Sequence, residues 1–388
     1  MIVAGESSGE LYGSLLARAV KARWPDVRLV GIGGERMRDS GVEILSGIAS
    51  SFGITELLLS LKRVRESFNT AEKALTELSP GVVVLIDYPD FNFRLARIAK
   101  KRGLKVLYYV SPQVWAWRRG RVKTMGEIAD RVAVILPFEE EIYKGAGIPC
   151  EFVGHPIMEE IEQYEEEARK SGAGSREPKV GSRNPLIALL PGSRPHELRT
   201  LLPVFIGLVR TLRRELPDCR FVIPLAPNIE LERFDEFLTM LRQEGAELRK
   251  GGATEALASS DMAVIASGTA SLQAALLGVP MVVVYKLSPI TYFLGKKVLK
   301  VPYISLVNII SGREVVPELI QRKASVGNIM KHCKKILYDD NYRNSMVLSF
   351  GKIREGFFGK RPSVSVAGMI GEMAGWGRRE DEVLSGKH

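Results

Sequence analysis

Asp87 closes the apolar run Val82-Val83-Val84-Leu85-Ile86 and is followed by Tyr88-Pro89-Asp90-Phe91-Asn92. A carboxylate at the carboxyl end of a buried strand can take a proton from an acceptor hydroxyl, as a general base must. Asp90 fits better as the cap of a helix that begins at Phe91, which leaves Asp87 for the chemistry. Further along, Leu190-Pro191-Gly192-Ser193-Arg194 joins a strand pattern to a helix pattern. A glycine, a hydroxyl and a guanidinium at a helix start can grip a diphosphate, with backbone N–H groups and the helix dipole assisting. A second turn of this kind runs Ala266-Ser267-Gly268-Thr269-Ala270-Ser271-Leu272-Gln273. Arg194 could equally pair with Glu197 on the surface, but two phosphate-compatible turns in one half of the chain outweigh either alone. A third turn, Gly5-Glu6-Ser7-Ser8-Gly9, lies near the start. The Glu6 carboxylate would repel phosphate, so this turn suits a sugar hydroxyl and a purely structural role equally well.

Other chemistries lack their residues. No D-x-D occurs, so the usual carboxylates for a metal-bound sugar nucleotide are missing and no metal or other cofactor is implied. Arg194, Arg313 and helix dipoles are then left to neutralise a departing diphosphate. The histidines His155, His196, His332 and His388 form no metal-spaced pair, and no G-x-S-x-G elbow accompanies them. His155, in Val-Gly-His-Pro after a strand, reads as structural. Trp115 and Trp117 can line a cleft or belong to the core. Three scattered cysteines, Cys150, Cys219 and Cys333, predict neither disulfides nor zinc and suit a reducing cytoplasm. The first residues show no basic segment leading into an apolar one, and no later run is long enough to span a bilayer. The expectation is a protein neither exported nor membrane-spanning. The formal charge of +10 favours polyanions. Nucleic acid is excluded as the partner because no helix-turn-helix, zinc-finger or RNP-like pattern is present.

These residues need a scaffold, and the sequence supplies one twice. Continuous apolar runs, IVAG, VRLVGIGG, VVVLID, KVLYYVS, RVAVILP and CEFVG, alternate with helical patterns. Strands apolar throughout, with helices between them, predict a doubly wound parallel sheet. From Glu159 to Pro185 the composition turns charged and then rich in Gly, Ser and Pro, which predicts a linker. The alternation restarts with NPLIALLP, CRFVIPLA, DMAVIAS and VPMVVVY. The expected organisation is a first domain over 1–165, a second over 180–345, and C-terminal helices and a tail over 346–388 that can pack back on the first. Ligands of such sheets sit at the carboxyl ends of strands, so two domains in series predict a central cleft. Two stretches suit a membrane surface. Ile54, Leu57, Leu61, Val64 and Phe68 form one helical stripe with Leu59 opposite. Lys296, Lys297 and Lys300 share one face of a helical pattern, with Leu294, Val298 and Leu299 on another.

AGESSGE, GIGGERM, IDYPDFN, YYVSPQVWAWRRGRVK, LPFE, FVGHP, LLPGSR, ASGTASLQ and YISLVNIISGREVVPE together resemble, in order and spacing, the motifs of the lipid-A-disaccharide synthase family, glycosyltransferase family 19. The resemblance extends to about residue 320, and the run from Asp87 through Lys123 is highly specific. It implies a GT-B fold, two Rossmann-like domains with a UDP-sugar on the second. It further implies transfer of 2,3-diacylglucosamine from its UDP donor to the 6-hydroxyl of 2,3-diacylglucosamine 1-phosphate, with inversion to a β-1,6 disaccharide. Asp87 would be the base. Gly5, Glu6 and Ser7, Gly192, Ser193 and Arg194, Ser267, Gly268, Thr269 and Ala270, and Asn308, Arg313 and Glu314 would bind substrate. Gln273 stands where many GT-B enzymes carry a ribose-binding Glu, which exchanges a charge-assisted bond for a neutral one. The acylated substrates imply a cytoplasmic enzyme held peripherally at the anionic inner face of the inner membrane, and a homodimer is compatible with the family. Rival readings are a GT-B N-acetylglucosaminyltransferase with another lipid-linked acceptor, a UDP-sugar 2-epimerase, and a non-catalytic nucleotide-sugar or anionic-lipid binder.

Overall fold

The computed structural model describes residues 1–5, 7–47, 54–114, 120–172, 184–227, 229–287 and 302–376, with the backbone only for Ser7 and 54–61. The chain divides into two compact units, Met1–Pro156 with Gly359–His388, and Ile157–Phe358.

The first unit is built on a parallel sheet of seven strands: β1 Ile2–Ala4, β2 Leu29–Ile32, β3 Val42–Ser46, β4 Val82–Ile86, β5 Lys105–Tyr109, β6 Arg131–Val134 and β7 Cys150–Phe152. Their order is β3-β2-β1-β4-β5-β6-β7. Every residue of β1, β2 and β4 is buried, so both faces of the sheet are covered, as continuous apolar runs require. The helix Pro362–Ala374 belongs to this unit and packs on the helix Ser7–Arg23, where a Cβ on Gly371 would overlap the Trp24 ring.

The second unit repeats the plan with six parallel strands: β8 Leu186–Leu190, β9 Arg220–Leu225, β10 Ala246–Lys250, β11 Met262–Ala266, β12 Met281–Tyr285 and β13 Glu318–Ile320, in the order β10-β9-β8-β11-β12-β13. β8 and β11 are buried throughout. Two expectations about organisation change. The expected linker begins as the helix Ile157–Lys170, which belongs to the second unit, so the first unit's opening segment stops at Pro156 rather than 165. Its buried Ile157, Met158 and Ile161 form an apolar stripe at helical spacing, and that outweighs the charged composition. The helix Asp340–Glu355 also stays with the second unit, so only the chain from Gly359 joins the first.

Strand order fixes where chemistry can sit. In each sheet the winding reverses once, between β1 and β4 in the first and between β8 and β11 in the second. The loops leaving those pairs diverge, and the crevice between them at the carboxyl edge is where open α/β sheets bind ligands.

Candidate active site

At the first reversal stand the turns after β1 and β4, which hold Gly5 and Asp87; Ala4 and Ile86, the residues before them, are paired in register. The chain passes from β4 into the helix Pro89–Lys101 through two residues, and both Asp87 (φ +47°) and Tyr88 (φ +48°) are left-handed. That conformation is unfavourable for any residue with a Cβ, so surrounding bonds must hold it. The Asp87 N–H donates to the carbonyls of Tyr109 and Val110, both at 3.2 Å. Its carbonyl accepts from the Tyr108 hydroxyl and from Asn92 Nδ2, each at 2.8 Å. Tyr88 turns its ring across Gly5, where a Cβ would overlap Cγ and Cδ1, and stacks on Phe91 at 5.2 Å. Gly5 is thus needed by this packing, and it brings the first turn against the Asp87 turn. Asp87 itself is half-buried.

Asp90 differs from expectation. The helix begins at Pro89, not Phe91, and its cap residue Tyr88 makes no side-chain cap bond. The Asp90 carboxylate instead pairs with Arg121 at 2.8 Å. Proline supplies a fixed φ and needs no N–H acceptor at a first helical position, so it starts the helix earlier than the apolar pattern shows. Arg121 also covers the Phe93 ring at 5.2 Å. The charges of Asp87, Asp90 and Arg121 all reach the buried Tyr108 hydroxyl, whose pKa is pushed up first by burial.

At the second reversal, Gly192 (φ +103°), Ser193 and Arg194 leave β8 and lead into the helix Pro195–Glu215. The helix mouth is not open to an anion, as the sequence suggested. The buried Glu197 carboxylate accepts from the Ser193 N–H at 3.0 Å and the Arg194 N–H at 3.1 Å, and a Cβ on Gly192 would overlap it. A carboxylate already takes those N–H groups and faces the dipole, so the exposed Ser193 and Arg194 can meet a phosphate with their side chains only. Arg194 and Glu197 both act on the hydroxyl of Tyr285, the last residue of β12. After β11, Ser267 donates to the Ile304 carbonyl at 2.9 Å, and Ser271 donates to the Gly268 carbonyl at 2.8 Å. Among the described residues, the N–H groups of Thr269 and Ala270 at the start of the helix Thr269–Leu276 have no protein acceptor. Gln273 is buried and donates to Thr254 Oγ1 at 2.7 Å, which in turn donates to Glu160 at 2.7 Å. That chain ties the helix Ile157–Lys170 to the second sheet's helices, so one Gln273 amide N–H serves the fold.

Three residues expected at the donor have protein partners instead. Asn308 is fully buried, and its side-chain amide is satisfied by the protein. It donates to the Val316 carbonyl (2.9 Å) and Glu318 (2.8 Å), and its oxygen accepts from the N–H groups of Val315 (2.7 Å) and Val316 (2.9 Å). Two donors and two lone pairs are the full capacity of an amide, so none remains for a ligand. Arg313 precedes β13 and therefore lies at the amino edge of a sheet whose phosphate-compatible turns are at the carboxyl edge. Its guanidinium donates to Ser349 at 2.8 Å. Glu314 stands beside it, close enough to act on His332 and Tyr342. Sequence order places all three after the last long strand but cannot show which edge they reach.

His155 is structural, as expected. It is buried, lies edge-on to Tyr12 at 5.8 Å, and burial pulls its pKa down to about 3. Val64 and Phe68 of the apolar stripe pack on the first core, Phe68 meeting Phe91 edge-on at 5.2 Å. Glu6, Trp115, Trp117 and the lysine-bearing stretch from Tyr292 to Lys300 lie outside the described residues, as do the side chains of Ser7, Ile54, Leu57, Leu59 and Leu61. Sequence reasoning missed Asn92 and Tyr108, and it took Glu197 as a surface partner of Arg194 rather than the acceptor at the helix start. Glu197 alone had a signal, since it follows Arg194-Pro195-His196 at the spacing of a capping box with proline in the first turn.

The chain is similar to known proteins along most of its length. A family model described as "LpxB: Lipid-A-disaccharide synthetase" matches residues 1–357. The lipid-A-disaccharide synthase of Geobacter sulfurreducens is 39% identical over 379 residues, covering 97% of each chain. Among solved structures, UDP-GlcNAc 2-epimerase from Neisseria meningitidis bound to UDP-GlcNAc aligns with a TM-score of 0.62 at 11% identity, over 92% of this chain and 98% of that one. The calicheamicin glycosyltransferase CalG4 aligns with a TM-score of 0.60 at 13% identity, over 96% and 97%. The structures establish a shared fold, two Rossmann-like parallel-sheet domains of the GT-B type. The family match spans both sheets, with Asp87 and Arg194 inside the matched residues, and on that ground the chain belongs to the lipid-A-disaccharide synthase family of glycosyltransferases.

Proposed function

We propose that the protein transfers 2,3-diacylglucosamine from UDP-2,3-diacylglucosamine to the 6-hydroxyl of 2,3-diacylglucosamine 1-phosphate, releasing UDP. The observation that carries this reading is topological. Each sheet has one winding reversal, and each reversal holds one half of the required chemistry: a carboxylate after β4, and a pair of phosphate-compatible turns after β8 and β11. The Asp87 carboxylate takes the proton of the acceptor O6–H. The oxygen's electron pair forms the new bond to the anomeric carbon, and the bond from that carbon to the diphosphate oxygen breaks, its electrons leaving with UDP. A single displacement inverts the configuration and gives the β linkage. Arg194, Ser193 and Thr269, with the N–H groups of Thr269 and Ala270, receive the charge that develops on the leaving diphosphate.

Asp87→Asn tests the assignment. General-base removal costs about 10²–10⁴-fold. The variant should therefore lose kcat on that scale while its affinity for UDP stays unchanged, and turnover kept at the wild-type rate would remove Asp87 from the role.

The acylated substrates place the working enzyme at a lipid surface. No helix among the described residues is long and apolar enough to cross a membrane, so the proposed attachment is peripheral, to the anionic inner face of the inner membrane. It would show as salt-sensitive co-sedimentation with anionic liposomes, and binding indifferent to both salt and lipid charge would contradict it.

A further inference from the structure

Of the five non-glycine residues with positive φ among the described residues, three, Asp87, Tyr88 and Val110, lie in the neighbouring turns after β4 and β5. Glycine would relieve each of them, yet the chain carries an acid, an aromatic and a β-branched residue there. Their left-handed geometry has to be imposed from outside the turn. Part of that work falls on two side chains, Asn92 and Tyr108, that are not among the expected substrate-binding residues. Asn92 and Tyr108 are fully buried. Asn92 Nδ2 spans two successive carbonyls, Ile86 at 3.2 Å and Asp87 at 2.8 Å, from one turn into the following helix. Tyr108 reaches the same Asp87 carbonyl from the adjacent strand β5, at 2.8 Å. Both donors act on the peptide that follows Asp87, and the Asp87 N–H is fixed on its other side by Tyr109 and Val110. With φ set and the peptide plane held on both sides, the direction in which the Asp87 side chain leaves the backbone is set as well.

We infer that Asn92 and Tyr108 are positioning residues for the Asp87 carboxylate, holding its peptide left-handed so that the base points at the acceptor hydroxyl. The inference rests on the proposed role of Asp87 as the base. A purely structural role predicts something different. Loss of either donor would then lower stability and leave the turnover of the folded enzyme intact.

The test uses Tyr108→Phe and Asn92→Ala in the full chain, each also combined with Asp87→Asn. The readouts are kcat and KM from UDP release, together with the melting temperature. Tyr108→Phe removes one hydroxyl and keeps the ring, with its edge-on contact to Phe93 at 5.8 Å, so it decides the matter even where Asn92→Ala folds poorly. Misplacing a reacting group by about 1 Å can cost on the order of 10²-fold. The expected result is a kcat roughly ten- to a hundredfold lower with the donor KM within about twofold of wild type, and no further loss once Asp87 is Asn. A kcat within about twofold of wild type, alongside a strongly impaired Asp87→Asn, would overturn the positioning role, and so would losses that multiply with Asp87→Asn. Failure of the base assignment is read separately, from Asp87→Asn alone.

Discussion

A single methyl group on Gly5 should displace the Asp87 turn without touching a polar atom. A Cβ at that position would overlap Tyr88 Cγ and Cδ1 and come within 2.8 Å of Tyr88 Cβ. The Tyr88 ring has little room to retreat, because it stacks on Phe91 at 5.2 Å, and Phe91 is itself held edge-on by Phe68 at 5.2 Å. The contact falls on the root of the side chain, so the strain passes to a backbone already left-handed at Asp87 and Tyr88. Overpacking of this kind costs about 1–3 kcal/mol. For a domain of the first unit's size each kcal/mol lowers the melting temperature by roughly 2–4 °C, so Gly5→Ala should lower that unit's transition by roughly 2–12 °C. Calorimetry reads the shift, and steady-state UDP release reads the accompanying fall in kcat. Because the clash is with one ring, the destabilisation of Gly5→Ala combined with Tyr88→Ala should be smaller than the sum of the two single effects. An unchanged transition and unchanged kcat for Gly5→Ala would refute the packing argument, and strict additivity would move the clash away from Tyr88.

Two further outcomes follow from the structure. Arg194→Ala should raise the donor KM, since it removes the charge proposed to meet the diphosphate, whereas Arg313→Ala should leave donor KM unchanged because its guanidinium serves Ser349 at the opposite sheet edge; equal effects on KM would void the distinction. For His155 the folded pKa of about 3 lies below the ordinary 6.5, so the unfolded chain takes up the proton first. Its contribution to stability is complete above pH 6.5 and is lost, at about 1.4 kcal/mol per pH unit, as pH falls from there towards 3. Denaturant titrations of His155→Gln should show a shallower loss over that window, and an unaltered slope would contradict the assignment.

The sequence made the central strands easy to read and three of the four edge strands hard, β7 having shown as the run CEFVG. β1, β4, β8 and β11 are buried at every residue, and β5 and β12 at all but one, so each shows as an apolar run. β3, β10 and β13 went unrecognised, and all three are edge strands. β10 is Ala-Glu-Leu-Arg-Lys with two residues exposed, and β13 has only three residues. Asp87 and the two small-residue turns were legible because a carboxylate or a glycine directly after an apolar run is a local signal. That they fall at winding reversals was not legible, since strand order depends on contacts far apart in the chain. The same limit explains Asn308, Arg313 and Gln273. Each has a residue type suited to a ligand, yet its partners, Val316 and Glu318, Ser349, and Thr254, are brought to it by the fold. Asp90 lies inside the helix rather than at its cap, for the apolar pattern begins at Phe91 while Pro89 starts the helix.

The central claim is that this chain joins two acylated glucosamines with UDP as the leaving group. The most direct measurement supplies UDP-2,3-diacylglucosamine in detergent, with a chelator, and follows UDP release with and without 2,3-diacylglucosamine 1-phosphate. Release that depends on the acceptor, with one disaccharide formed per UDP, is the predicted result. No UDP release from the donor in the presence of that acceptor, by protein that still binds UDP, would contradict the claim and transfer the search to another glucosaminyl acceptor.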